Sequence, residues 1–436
     1  MSDSQKEVVI VTERFHPATT SATGQYMTDL AIGLRERGLD VTVVTRQIPN
    51  HSDEETAQDI REAGVEVKRI PIPAIDESSF ARRVLNWATY IAVLVPLLLF
   101  SRSEKDRELL FVSYPVILPP FVWFTCQIRR WDYTYVIYDF YPDCAVELGY
   151  VQREGIAHQT WDKLNQYVFS DARNIVVLGP RMREVVADSV DGEFDAEKLT
   201  IIHNWADGEF IVPKSKDENW FSEEHDLVDT LTLVYSGNIG EFHDLETVLK
   251  ASAKLDGDDI NILIIGEGDN KPAIEALAEE LGVLGDTVEI LPYQPWETVP
   301  YSLTAGDVSI VAVKPEFEGL CVSSKLYSAL ATGQPVLVIA RERDDESQLV
   351  QEFNAGEQVS PGDVREATRV IERWKDDTES VADHGKNARE AFESHFTKEQ
   401  AIDRYYALLA EDTSVQPSNM ASDTPDETTI GGRSST

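Results

Sequence analysis

Cysteine is nearly absent from this chain. Cys126, Cys144 and Cys321 are its three cysteines, far apart, odd in number and without metal-ligand spacing. That argues against a disulfide scaffold and against a zinc site, and it fits a reducing interior. Positive charge is scarce as well: 39 Lys and Arg stand against 77 Asp and Glu, a formal net charge of -38. The acids are dispersed along the chain rather than gathered in a block. Such dispersal reads as a heavily solvated surface, as in proteins of very salty (halophilic) cytoplasm, where salt screens self-repulsion. A cation buffer or a nucleic-acid mimic would concentrate its acids, so nucleic acid is not an expected partner. The chain also lacks G-x-G-x-x-G and G-x-x-x-x-G-K-[ST], which disfavours a nicotinamide dinucleotide or a P-loop nucleotide. Its opening, MSDSQKEVVIV, has neither a basic n-region nor a cleavage motif, so no signal peptide is expected.

Long apolar runs are few. LNWATYIAVLVPLLLF, residues 85–100, is shorter than the ~20 residues a spanning helix needs, and Asn86, Thr89 and Pro96 interrupt it. Arg82 and Arg83 precede it; Arg102 and Lys105 follow. A buried helix, a helix dipping into a membrane surface and a true span all fit this stretch.

What the chain has is alternation. At 436 residues it is too long for one ordinary core. Short β-branched runs at 8–12, 41–45, 109–113, 133–139 and 174–178 read as buried parallel strands, with helical stretches between them. The rhythm pauses over 204–229 and resumes at 231–237, 261–266, 288–293, 308–313 and 335–340. This is βαβ alternation in two halves. The expected fold is α/β: two Rossmann-like, doubly wound domains facing a cleft. From about Glu379 to Leu409 the pattern is helical. The last stretch lacks apolar periodicity and is expected to be disordered.

In open α/β sheets ligands sit outside the carboxyl ends of strands. Four stretches end there. In TERFHPATTSATGQ, residues 12–25, Gly24 and Gln25 offer backbone N–H groups at a helix start. They serve either as simple caps or as contacts to a phosphate or sugar. In VYSGNIG, Gly237 allows close approach and Asn238 presents an amide. In GEGDNK, Gly266 and Gly268 follow a strand, with Lys271 in the next helical turn. In FEGLCVSSKLYSALATGQPVLV, Ser323 and Ser324 precede a helix with Lys325 in its first turn. The helix dipole disfavours a cation there, so a bound diphosphate would explain the lysine better than capping does. Upstream, Glu316 and Glu318 flank Gly319's loop, where a carboxylate could meet sugar hydroxyls. Asp139, at the end of YVIYDFYPD, is expected to face the cleft and to orient a sugar or accept a proton. His16 and His243 also fall at strand ends.

These residues carry a resemblance. The two halves resemble a GT-B glycosyltransferase, and the motifs resemble the family 4, retaining group. YDFYPD with AVELG, and IIHNWAD, resemble segments of the branch that includes colanic-acid and N-acetylfucosamine transferases. SGNIG, GEGDNK, LPYQP, SLTAGDVSIV and SSKLYSALATGQPVLV resemble the donor-domain segments in order. The resemblance implies an acceptor-binding domain over 1–205, a nucleotide-sugar domain over 206–395, a helix returning to the first domain over 396–411, and an acidic tail over 412–436. It implies transfer from a nucleotide-sugar donor to a lipid-linked or surface-glycan acceptor, with no cofactor and no metal. The enzyme would be cytoplasmic and peripheral to the inner face of the membrane, docked through 85–100.

Asp139 and Glu316 are the expected catalytic groups. Gly24, Gln25, Gly237, Asn238, Gly266, Gly268, Lys271, Glu318, Gly319, Ser323, Ser324 and Lys325 are the expected donor-binding residues. Two departures from the family stand out. Ser328 occupies the position of the second glutamate of E-x7-E, and Glu241 to Asp244 replace the Arg and Lys that often follow G-N-x-G. A non-catalytic partner subunit and a GT-B-fold nucleotide-sugar epimerase are the alternatives.

Overall fold

The computed structural model describes residues 6–16, 21–47, 54–72, 80–102, 105–190, 194–255 and 259–410. The expected tail at 412–436 lies outside them, as do residues 17–20 of the first candidate loop.

Two parallel sheets organise the chain. The first holds β1 (Glu7–Val11), β2 (Asp40–Arg46), β3 (Glu66–Ile70), β4 (Arg107–Val112), β5 (Asp132–Val136), β6 (Asn174–Val177) and β7 (Leu199–Ile201). The second holds β8 (Leu231–Ser236), β9 (Ile260–Ile265), β10 (Val288–Leu291), β11 (Val308–Ala312), β12 (Val336–Ile339) and β13 (Gly356–Val359). Their orders are β3-β2-β1-β4-β5-β6-β7 and β10-β9-β8-β11-β12-β13. In each sheet the chain starts centrally, winds to one edge, then returns to build the other. That leaves a switch point between β1 and β4 and another between β8 and β11, where crossovers part and a crevice opens.

Central strands are covered by helices on both faces, which is why they read as unbroken apolar runs. Every residue of β1, β4 and β11 is buried. Three strands escaped the sequence reading: β3 (EVKRI), β7 (LTI) and β13 (GEQV). All are edges of their sheets. An edge strand is partly open to solvent, so polar side chains are tolerated and the apolar signal fades.

The helix Phe80–Phe100 covers the 85–100 stretch. One face, with Trp87, Tyr90, Leu94 and Leu98, is buried in the core. The opposite face exposes Leu85, Val93 and Phe100. Beside it packs the helix Pro119–Arg129, which exposes Phe121, Phe124 and Ile128.

The chain crosses between domains twice, and the crossings touch. Ala206 pairs with Thr397 in an isolated bridge, and Lys398 Nζ lies 3.0 Å from Asp207 Oδ2. The long helix expected over 379–409 is two helices, Thr378–His395 and Lys398–Ala410. Buried Phe396 breaks them, its ring against His203, Tyr327 and Phe353. The new helix then begins with a reciprocal capping pair: Gln400 N donates to Thr397 Oγ1 (3.4 Å), and Thr397 N donates to Gln400 Oε1 (3.2 Å). The last helix lies on Ala22–Glu36 of the first domain, where Arg37 Nε meets Asp403 Oδ1 at 2.7 Å. One buried apolar cluster runs from Val9 and Phe111 in the first domain to Val311, Leu326 and Tyr327 in the second.

Candidate active site

A cavity of about 1170 Å³ lies between the domains, at the carboxyl ends of the central strands. On the second-domain side, Gly237 and Asn238 follow β8, Gly268 follows β9, and Ser324, Lys325 and Ser328 come from the start of the helix Lys325–Thr332.

Lys325 is the focus of this wall. Its Nζ is 3.1 Å from His243 Nε2 and 5.2 Å from the centroid of the Tyr235 ring. His243 Nδ1 is 2.9 Å from the Ala312 carbonyl oxygen, which can only accept, so Nδ1 carries the proton and Nε2 accepts from the ammonium. Burial, then the charge of Lys325, holds His243 well below the ordinary histidine range and keeps it neutral. Burial also lowers Lys325 to about 8. Gly237 makes room for the lysine stem: at φ 136°, a Cβ there would stand 2.7 Å from Lys325 Cε. The serines do not cap the helix. Ser324 makes no side-chain capping bond. The Ser323 N–H donates to buried Glu346, and Ser323 Oγ is buried without a hydrogen-bond partner.

The first-domain side is different in character. Ser21, Gln25, Tyr26 and Asp29 line the cavity from one face of Ala22–Glu36, at successive helical turns. Tyr26 packs edge-on to Trp205 (4.7 Å between centroids), and its hydroxyl meets Ser324 across the cleft. Trp205 Nε1 donates to Asp29 Oδ2 at 3.0 Å, and burial pushes the Asp29 carboxyl up to about 6. Beyond the end of β1, Arg14 Nη2 donates to the Tyr114 hydroxyl (3.1 Å) with its guanidinium 4.6 Å above that ring. Trp87, Tyr141, Tyr150 and Trp161 complete the wall.

Of the residues expected from sequence, Gln25, Gly237, Asn238, Gly268, Ser324 and Lys325 come together around this cavity. The others do not line it, each for a local reason. The Gly24 N–H donates to the Ser21 hydroxyl, which caps the helix (3.2 Å). Gly266 holds loop against loop, since a Cβ there would lie 1.9 Å from the Gly237 carbonyl oxygen. Lys271 pairs with Glu267 at 2.8 Å. Ser323 is buried behind the helix start.

Both carboxylates proposed beside Gly319 are corrected. The 3-10 turn Pro315–Phe317 buries Phe317 against Phe242 and leaves Glu316 exposed. Glu318 pairs with Arg181 Nε at 2.9 Å, in the seam between the domains. Gly319 packs on the same helix, Pro180–Asp188, where a Cβ would approach Val185 Cγ2 to 2.8 Å. Asp139 does not face the cavity either. β5 stops at Val136, and Asp139 forms an antiparallel bridge with Cys321 across the domain seam. Burial there pushes its carboxyl up to about 6.

Sequence reasoning missed Arg14, Tyr26, Asp29 and Trp205 as cavity residues. Their signal was available: Arg14 lies three residues past a buried strand, and Tyr26 and Asp29 repeat Gln25's helical face. Among the described residues no group of three or more His, Cys, Asp or Glu side chains is placed to hold a metal ion.

Known proteins agree with this architecture. Residues 21–205 match the family described as glycosyl transferase 4-like domain, and residues 216–391 match glycosyl transferases group 1. The glycosyltransferase WbjE of Pseudomonas aeruginosa is 23% identical over 64% of this chain and 69% of its own. The colanic acid biosynthesis glycosyl transferase WcaI of Escherichia coli strain K12 is 23% identical over 76% of this chain and 82% of its own. Among solved structures, Alr3699/HepE of Anabaena in complex with UDP and glucose superposes with a TM-score of 0.69 at 14% identity, over 93% of this chain and 99% of that one. WaaG, a glycosyltransferase of lipopolysaccharide biosynthesis, gives 0.68 at 13% identity, over 93% and 100%. At such identities the structures speak for the fold. The two family matches follow one another along the two sheets, and this chain belongs to the GT-B glycosyltransferases, in the family 4-like, group 1 branch that includes the colanic acid enzyme.

Proposed function

We propose that this glycosyltransferase moves a sugar, with retention of anomeric configuration, from a nucleoside-diphosphate sugar to a lipid-linked glycan at the inner face of the cell membrane. The observation that carries the donor assignment is Lys325. It is a half-buried ammonium at the switch point of the second sheet, held by a neutral imidazole and without a carboxylate in contact among the described residues. When the bond from the sugar C1 to the diphosphate breaks, its electron pair leaves with the phosphate. Charge then develops where Lys325 and Ser324 face the cavity, and the acceptor oxygen forms the new bond to C1 while its proton passes to a base or to the departing phosphate. Neutralisation of the diphosphate is assigned to these protein groups, with no metal required. The complexes of HepE with UDP-glucose support a donor of this class in a fold of this kind.

The membrane part rests on the outer face of Phe80–Phe100. By length and composition Ala81–Phe100 is long and apolar enough to cross a bilayer. Its other face belongs to the core, which favours lying on the surface. Leu85, Val93, Phe100, Phe121, Phe124 and Ile128 are exposed on these two packed helices, with exposed Arg82, Arg102 and Arg130 at the helix ends.

A thermal-shift screen in high salt against UDP, GDP, ADP and their sugar conjugates tests the donor half by mass action. A shift with one nucleotide names the donor class, and no shift with any would sink the donor assignment. Turnover with that donor and membrane extract, unchanged by a chelator, tests transfer. Nucleotide binding without turnover would instead favour the non-catalytic partner, a reading to which Ser328 lining the cavity lends weight.

A further inference from the structure

Resting on the glycosyltransferase reading, we infer that the acceptor carries an anionic group, a phosphate or a carboxylate, bound by Arg14 on the first-domain wall. Among the described residues three cations line the cavity: Arg14, Arg83 and Lys325. Arg83 reaches Asp269 of the opposite domain at 3.3 Å. Lys325 belongs to the donor side. Arg14 has no ion pair among the described residues, although Asp29, Asp207, Glu241 and Asp269 line the same cavity and acids outnumber bases 77 to 39 along the chain. In so acidic a protein, a cleft arginine left without a carboxylate points to an anion supplied from outside.

The arginine is also held ready. Its backbone is fixed by Thr12, whose Oγ1 donates to the Arg14 carbonyl (2.9 Å) and accepts from its N–H (3.3 Å). Its guanidinium lies over the Tyr114 ring, and Nη2 donates to that phenol oxygen, which also accepts from Trp87 Nε1 at 3.3 Å. The remaining guanidinium donors suit a bidentate oxyanion. Around them stand rings that a sugar can lie against: Tyr114, with buried Trp87 edge-on to it, and Tyr141 stacked with Trp161 at 5.9 Å and 8°. Trp87 belongs to Phe80–Phe100, the helix whose outer face is apolar. A ligand with an apolar tail along that helix, an anionic linkage at Arg14 and a sugar against the rings matches the order of these features. An acidic sugar with no tail would use the same arginine.

The test is a binding titration of the full chain, read by calorimetry, with three soluble probes: a short-chain prenyl diphosphate N-acetylglucosamine, a methyl glucuronide and a neutral methyl glucoside. UDP and GDP are titrated in parallel. A charged probe is expected to bind more tightly than the neutral one. Arg14→Gln should weaken it about tenfold or more, the scale of a lost charge-assisted pair, while nucleotide affinity stays unchanged. Tyr114→Phe, which keeps the ring and removes the orienting hydroxyl, should weaken it less and in the same direction. Which charged probe responds separates the diphosphate from the acidic sugar. Equal binding of the neutral glucoside, charged-probe binding unchanged in Arg14→Gln, or no charged-probe binding by a protein that binds nucleotide would each overturn the inference. A protein that binds neither nucleotide nor probe would sink the donor reading first, and this one with it.

Discussion

The second domain meets the cleft with glycine turns, Ser324 and one lysine, beside Glu241, Asp269, Tyr293 and Trp296. The first meets it with rings, Arg14 and Arg83, and the carboxylate of Asp29. Gly237, Asn238, Gly268 and Ser324 let a ligand come close to the chain itself, whereas Trp87, Tyr114, Tyr141 and Trp161 line the other wall with rings. Yet both walls stand on the same strand order, at the same kind of switch point. The shared sheet decides only where a ligand can sit. The loops decide what it is, because each loop is free of the packing that fixes the strands.

That contrast can be broken most sharply at Lys325. Lys325→Ala should lower turnover by a factor of ~100 or more, the scale of losing a group aimed at developing charge, and should weaken UDP or GDP binding. The thermal midpoint without ligand should hardly move, and a variant that binds nucleotide like the wild type would remove the lysine from the donor site.

Asp345 tests the contact between the two walls rather than either one. Its carboxylate accepts from Arg181 N (2.8 Å) and Met182 N (3.0 Å), at the start of Pro180–Asp188 in the other domain. Asp345→Ala leaves those N–H groups buried and unpaired. It should cost roughly 1–3 kcal/mol in denaturant unfolding, with the arginine and lysine sites each intact in the remaining folded protein.

The pH dependence sharpens the comparison further. Because burial lowers Lys325 to about 8, the free enzyme holds a ready ammonium below that pH. Above it, binding must first take up a proton. Nucleotide affinity should therefore fall by about tenfold per pH unit above pH 8, measured by titration. Charged-acceptor binding at Arg14, which does not involve Lys325, should show no such break. Smaller still is the effect at His243. Replacing it by Phe removes the acceptor for the ammonium, so the pH midpoint should move below 8 and turnover should drop severalfold. An unchanged midpoint would make His243 merely structural.

Much of this was legible beforehand, for identifiable reasons. The central strands announced themselves because burial on both faces leaves no room for polar residues, as in β1 and β11. β3 and β13 stayed silent because an edge needs no such run. Ser324 and Lys325 could be picked out because a lysine at a helix start conflicts with the dipole. Asp139, Glu316 and Glu318 were chosen because they are acids near strand ends, and nothing local distinguishes an acid aimed into a cleft from one in a domain seam. Glu318 found Arg181 137 positions away in the chain, and Asp139 found Cys321.

The sequence by itself determined the alternation, the two sheets and the helix start that presents Lys325. Those follow from periodicity, glycine and proline, whose effects reach only a few residues along the chain. Tertiary structure alone decided which loops share the cleft, that Phe396 ends one helix so the next can cross back, and that Arg14 stands beside rings instead of a carboxylate. Those depend on how two separately folded surfaces meet, and hydrogen bonds, charges and ring contacts between residues far apart in the chain settle it only once both are in place.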